Sequence, residues 1–193
     1  MKKLLAILLC GMLTVAVLSG CGNKAEAEQP EHRGIVGSLY SDLTLKMENS
    51  GFPEYDFISI ERYNIVLIPE VSYEDGTGAT MKYSVLYSDN ESDYWGEIEE
   101  ATFSIESDLI NKNPANFIES AKIYLTFCSS MEYDSADQEK VKAWVLKNVE
   151  AAGEVEDDKD IKITIGDAKF TLSGNDYDGT YGVRTLKIEK AEN

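Results

Sequence analysis

The chain has 193 residues, 18 basic against 35 acidic, a formal net charge of −17. A surface this acidic repels phosphate backbones, which argues against nucleic acid as a partner. The chain has one histidine and three cysteines in all, so nucleophile–histidine and soft-metal chemistry has few residues to draw on.

In chain order, Lys2 and Lys3 precede an uncharged apolar run from Leu4 to Val17, and Leu18-Ser19-Gly20-Cys21 follows. A cationic start, an apolar stretch and small residues at the cut make an export signal. The ending Leu-Ser-Gly-Cys resembles the lipobox of bacterial lipoproteins. That resemblance covers residues 1–21 and implies cleavage before Cys21, which then carries acyl chains such as palmitate. It places the protein on the exported side of a cell membrane, in the cell envelope. Two or more chains anchor stably where one is marginal. Gly22 stands where an aspartate would imply inner-membrane retention in bacteria with two membranes, so the final membrane stays open. The competing reading is an uncleaved span, but that needs about 20 apolar residues. The run here is shorter and holds Gly11, Thr14, Ser19 and Gly20.

Loss of residues 1–20 leaves 173, enough for one domain that buries about 70% of its unfolded surface. Lys2 and Lys3 go with the signal, so 16 bases face 35 acids, a net charge of −19. Such a domain also repels anionic headgroups and stands off the membrane on its tether. Cys10 is discarded and Cys21 is consumed by lipid. Cys128 is then alone, no internal disulfide forms, and the core must hold the fold. Residues 21–33 read as a flexible tether that contains His32, and residues 34–193 as a single domain.

Ile35, Val36, Leu39, Tyr40, Leu43 and Met47 recur at helical spacing, with Gly51 as the residue after the cap. The alternation Leu43-Thr44-Leu45-Lys46-Met47 also fits a strand, and helix is the reading adopted. Phe57 to Ile68 reads as one strand in mid-sheet, apolar on both faces. Glu74-Asp75-Gly76-Thr77-Gly78 is turn chemistry. Met81, Tyr83, Val85 and Tyr87 mark a half-buried strand, and a third puts Trp95, Ala101, Phe103 and Ile105 on one parity. Asn113-Pro114 opens a helix with the stripe Phe117, Ile118, Ala121, Tyr124, Leu125, Cys128 and Met131. Ser135 to Gln138 reads as a capping box for a second helix, which buries Val141, Trp144, Val145 and Val149. Ile161 to Ile165, a Gly166-Asp167 turn, Ala168 to Leu172, a turn over Gly174 to Thr180 and Tyr181 to Glu189 complete a second meander. The fold class is α+β: an antiparallel sheet with a two-helix layer, in the order α-βββ-αα-βββ. The repeated helix-and-meander order raises an internal duplication, which no aligned sequence repeat supports.

Recognised catalytic motifs are absent. Cys128 lies inside the helical stripe and reads as a core residue. Asn175-Asp176-Tyr177-Asp178-Gly179 is half of a calcium loop, without a first ligand or a closing glutamate, and reads as a turn. From Glu70 to Asp108 there are eleven acids and one base, Lys82. Within that stretch Asp93, Tyr94, Trp95 and Glu97 form a candidate binding patch for a basic or glycan-bearing envelope partner. The competing reading buries Trp95 in the core. No cofactor is expected. The expected role is a non-catalytic binding or accessory lipoprotein. The alternatives are an inhibitor or regulator of a partner protein and, third, a carboxylate-based hydrolase.

Overall fold

Helix α1 spans Tyr40–Asn49 and buries Leu43 and Met47. It ends in a Schellman motif, with Gly51 at φ +83°. There Gly51 N–H donates to the Glu48 carbonyl at 3.1 Å and Phe52 N–H to that of Met47 at 3.0 Å. Glycine enters this left-handed geometry without the clash a Cβ would add. The computed structural model describes residues 34–35, 37–88, 96–108, 112–130, 136–153, 160–177 and 179–192.

Seven strands follow in one sheet: β1 Asp56–Ile60, β2 Tyr63–Ser72, β3 Gly78–Tyr87, β4 Ile98–Asp108, β5 Ile161–Ile165, β6 Ala168–Tyr177 and β7 Tyr181–Lys190. All pairings are antiparallel, and the spatial order is β1-β2-β3-β4-β7-β6-β5. Helices α2, Pro114–Ser129, and α3, Gln138–Asn148, lie between the two meanders in sequence. The expected α+β class and helix–meander–helices–meander order are therefore the observed ones. The two meanders meet through their last strands, β4 and β7.

One cross-strand row spans the sheet: Phe57, Val66, Tyr83, Phe103, Leu186, Leu172 and Ile161. Its five inner members are buried. Helix α2 covers this face, packing on α3, β4 and β7 through Phe117, Ala121, Tyr124, Leu125 and Cys128. The opposite face carries ion pairs, such as Lys187 with Glu100 across to β4 at 2.9 Å and with Glu189 along its own strand at 2.8 Å.

Four details depart from the sequence reading. The single strand read from Phe57 to Ile68 is a hairpin, folded at Glu61-Arg62 with Glu61 at φ +52°. Its first arm is an edge strand, not a mid-sheet one. Neither turn residue belongs to the set that favours such a turn, so the apolar run concealed the break. Second, Asp137 caps α3, accepting from Lys140 N–H at 3.1 Å; aspartate caps as well as serine, and Ser135 lies outside the described residues. Third, β6 continues through Tyr177, so the Gly174–Thr180 segment is mostly strand. Fourth, β4 bulges at Glu99: Leu86 faces Glu100 while Tyr87 faces Ile98. The extra residue reverses the alternation, so the parity of Ala101 does not extend upstream through Glu99.

The C-terminal half is organised by Arg184, which is 0% exposed. Its guanidinium grips Asp176 at 2.6 and 2.9 Å. It also donates to the carbonyls of Val149 at 2.8 Å, Glu150 at 3.4 Å and Val183 at 2.9 Å. All five donors are thereby used. A Cβ on Gly153 would fall 2.0 Å from the Arg184 guanidinium, and one on Gly174 2.7 Å from its Cδ. The two glycines make the space.

Two predictions follow from this packing. Asp176→Asn leaves the Arg184 charge unpaired. Breaking a fully buried pair costs about 3–5 kcal/mol; because the Asp176 side chain is 32% exposed, the expected loss is about 2–3 kcal/mol. Urea unfolding measures it, and adding Arg184→Met should recover part. The second prediction concerns alkali. Complete burial pushes the Cys128 thiol up from 9.0 and the Tyr124 phenol up from 10.0. The unfolded chain loses those protons first as pH rises, so it then binds fewer protons than the folded one. Stability is therefore full below about pH 9 and falls above it. Thermal melts from pH 7 to 11 should show this, with Cys128→Ala delaying the onset toward pH 10. Thiol reagents should modify native Cys128 only after denaturation.

Candidate binding site: a cleft beside an open sheet edge

The Schellman exit of α1 turns the chain across the helix-covered face of the sheet. Pro53 holds Phe52 in extended geometry. The Phe52 ring lies against Tyr124 at 5.7 Å and Phe127 at 5.1 Å, so this crossing is pinned to α2. Between the crossing, α1 and the sheet lies a cleft of about 430 Å³, lined by Thr44, Glu48, Phe52, Pro53, Glu54 and Tyr83. That volume suits a small ligand. Tyr83 is 3% exposed. Burial pushes its hydroxyl pKa well up, and Tyr40, Glu54 and Cys128 add to the shift.

Polar groups continue behind this floor. Tyr40 stacks on Tyr87 at 5.3 Å. Its phenol is raised chiefly by burial, opposed by a hydrogen bond from Asn64. Asn64 faces Val85 in the core, and its buried Oδ1 has no partner among the described residues. An unpaired buried acceptor is costly and calls for explanation. A second cleft, about 380 Å³, runs along the other side of α1 past Leu39, Leu43, Leu45 and Ile98. Its Lys46 ammonium is already committed to the Ser130 carbonyl at 3.0 Å.

The crossing leads directly into β1. Every residue from Pro53 to Glu61 is exposed, including Tyr55 at 77% and Ile60 at 63%. Among the described residues strand β1 pairs only with β2, so its outer rim faces no neighbouring strand; Phe57 N–H is met by its neighbour Asp56 Oδ1 at 2.8 Å. The opposite edge, β5, is different: it carries Lys162 and its Ile161 and Ile163 are half-buried.

The sequence-derived site residues fall as follows. Cys21, His32, Asp93, Tyr94 and Trp95 lie outside the described residues. Glu97 is 2% exposed and accepts from Gly34 N–H at 3.3 Å, while its own N–H donates to Ser88 Oγ at 3.1 Å. It ties the entering chain to the sheet and offers no exposed charge. Several acids of the Glu70–Asp108 stretch are similarly engaged. Glu99 meets Arg62 at 2.8 Å, Glu100 meets Lys187, and Glu106 accepts from Tyr181 hydroxyl at 2.6 Å. Asp176, from the half calcium loop, belongs to Arg184. Among the described residues, no three His, Cys, Asp or Glu side chains gather around one point, and no helix is long and apolar enough to cross a membrane.

The sequence reading missed both the cleft and the edge. The cleft joins Thr44 to Tyr83 across residues distant in sequence, and the edge hides inside one apolar run. Comparison with protein-family models, with curated proteins and with solved structures finds no match.

Proposed function

We propose that the protein is an exported, lipid-anchored binding or accessory domain of the bacterial envelope, engaging a partner protein through β1. The observation that carries the binding role is the open edge itself. Four large apolar side chains, Tyr55, Phe57, Ile58 and Ile60, stand in water along a strand that has a single strand neighbour among the described residues. An extended segment can add to such an edge, its backbone giving affinity and its alternate side chains specificity. Glu54, Asp56 and Glu61 are exposed along the same run. The complementary occupant is therefore a strand-forming segment with basic residues, and the acids speed its approach. Inhibition or regulation of the partner is the form this role takes if β1 covers a working surface. Asp93, Tyr94 and Trp95 remain a second contact in this proposal, where a glycan would also fit an aromatic rim.

The hydrolase reading has one observation in its favour, since Glu48 and Glu54 line one cleft. Both residues are exposed, whereas a glycosidase acid needs a desolvated setting to hold its proton near neutrality. Binding is the better fit.

Two measurements test the proposal. Cys21→Ala should abolish incorporation of labelled palmitate and leave an uncut precursor; equal labelling of mutant and wild type would remove the anchor. Photo-crosslinkers placed at Ile58 and Ile60 in cells should trap one discrete partner protein, and one at Lys162 on the opposite edge should not. Equal yields at all three positions would overturn the edge reading.

A further inference from the structure

The cleft beside β1 has its own chemistry, which does not depend on the anchor or on the edge. Glu48 and Glu54 stand at its mouth, both exposed, and neither has an ion pair or hydrogen bond to its carboxylate among the described residues. The floor is Tyr83, nine-tenths buried and more, whose hydroxyl donates to and accepts from nothing described. Phe52 and Pro53 supply an apolar wall. Among the described residues, the polar contacts of the lining side chains are those of Thr44 Oγ1, which donates back to the carbonyls of Tyr40 at 3.2 Å and Ser41 at 3.0 Å.

We propose that this cleft binds a primary alkylammonium group, carried by a free amine or by a lysine side chain. Two carboxylates without counter-charges supply the attraction, and charge-assisted hydrogen bonds are about twice as strong as neutral ones. The third ammonium hydrogen has an acceptor in the Tyr83 oxygen, and the Phe52 and Tyr83 rings are suited to a cation beside them. The alkyl stem lies along Phe52 and Pro53. A hard metal ion is a poorer occupant, because calcium takes six to eight oxygens and magnesium demands an octahedron. An anion is repelled, and a neutral sugar leaves both carboxylates without a counter-charge. Burial holds the Tyr83 phenol protonated at physiological pH, so it adds no negative charge of its own.

The test titrates the full-length chain at fixed ionic strength, following side-chain and amide NMR signals. The probes are n-butylammonium, Nα-acetyl-lysine-N-methylamide and the Nζ-acetylated form of the latter. Saturable shifts should centre on Thr44, Phe52, Glu54 and Tyr83 with the two ammonium probes, and the Nζ-acetylated form should give none. The tighter of the two ammonium probes identifies the source, free amine or lysine. Glu48→Gln and Glu54→Gln should each weaken binding about tenfold. Tyr83→Phe should weaken it less, and Glu119→Gln, on the exposed face of α2, should change nothing. Amide spectra confirm that each variant is folded. Shifts that never saturate, that spread over the acidic surface, or that persist within twofold in the Glu48→Gln/Glu54→Gln double variant overturn the proposal.

Discussion

A guanidinium with no access to water holds the C-terminal half of this protein in register. Burying an arginine carries a desolvation penalty of several kcal/mol unless every N–H is met. Here the five donors of Arg184 go to one carboxylate and three carbonyls. Val149 and Glu150 follow directly on α3, and the carbonyls at a helix end lack intrahelical partners and carry its negative pole. Arg184 therefore serves as a C-cap delivered from the sheet. It fixes where α3 stops, while Asp176 joins the same charge to β6. The 5.5 Å approach of Arg184 to the Phe117 ring adds α2 to the cluster. One side chain thus sets the position of both helices over β6 and β7, and Gly153 and Gly174 exist as glycines because nothing larger fits beside it.

Charge is distributed unevenly over this frame. The open sheet face bears Lys82, Lys162, Lys169 and Lys187, each within 4 Å of an acid. Exposed pairs of this kind contribute little to stability, typically under about 1 kcal/mol each. Their effect is on the field. Arg62, Lys82 and Lys187 neutralise Glu99, Glu106 and Glu100, acids that a linear reading counts as one block, so the stretch from Glu70 to Asp108 is not one acidic surface. The excess negative charge lies elsewhere, in part around α1 and β1, where Asp42, Glu48, Glu54, Asp56 and Glu61 are exposed.

Periodicity made most of the fold legible. The stripe of α2, the Asn113-Pro114 start, the Gly166-Asp167 turn and the inward alternation of β3 are local patterns, and local patterns survive folding. Tertiary context decided the rest. Glu61 adopts positive φ although nothing in its side chain favours it, so no turn signal marked the β1–β2 hairpin. The Glu99 bulge reversed an alternation that otherwise held from Ile98 to Asp108. Arg184 was visible in principle: it shares strand parity with Leu186 and Ile188, and a charged residue on an inward parity demands a buried partner. The cleft was not visible, because its floor, wall and mouth come from β3, the chain after α1 and α1 itself. No spacing rule links Thr44, Glu54 and Tyr83.

The two sheet edges differ in how they are protected. A sheet that must stay monomeric blunts its edges with charge, proline or cover. Strand β5 follows this rule through Lys162 and half-buried isoleucines. Strand β1 does not. Its sequence Asp-Phe-Ile-Ser-Ile has no base and no proline, and each of its residues is exposed. An isolated hairpin is marginal in water, so β1 persists because β2 is itself anchored through Val66 and Ile68. A strand held in place by its neighbour, apolar on both faces and open along one rim, gains stability when something covers it. Self-association is the obvious hazard, and the acids beside β1 oppose it, since two copies would bring Glu54, Asp56 and Glu61 together. The same charges attract a basic chain. In the proposed role, edge geometry and local charge favour the same occupant, a cationic extended segment, whose ammonium group is of the kind proposed for the cleft beside them.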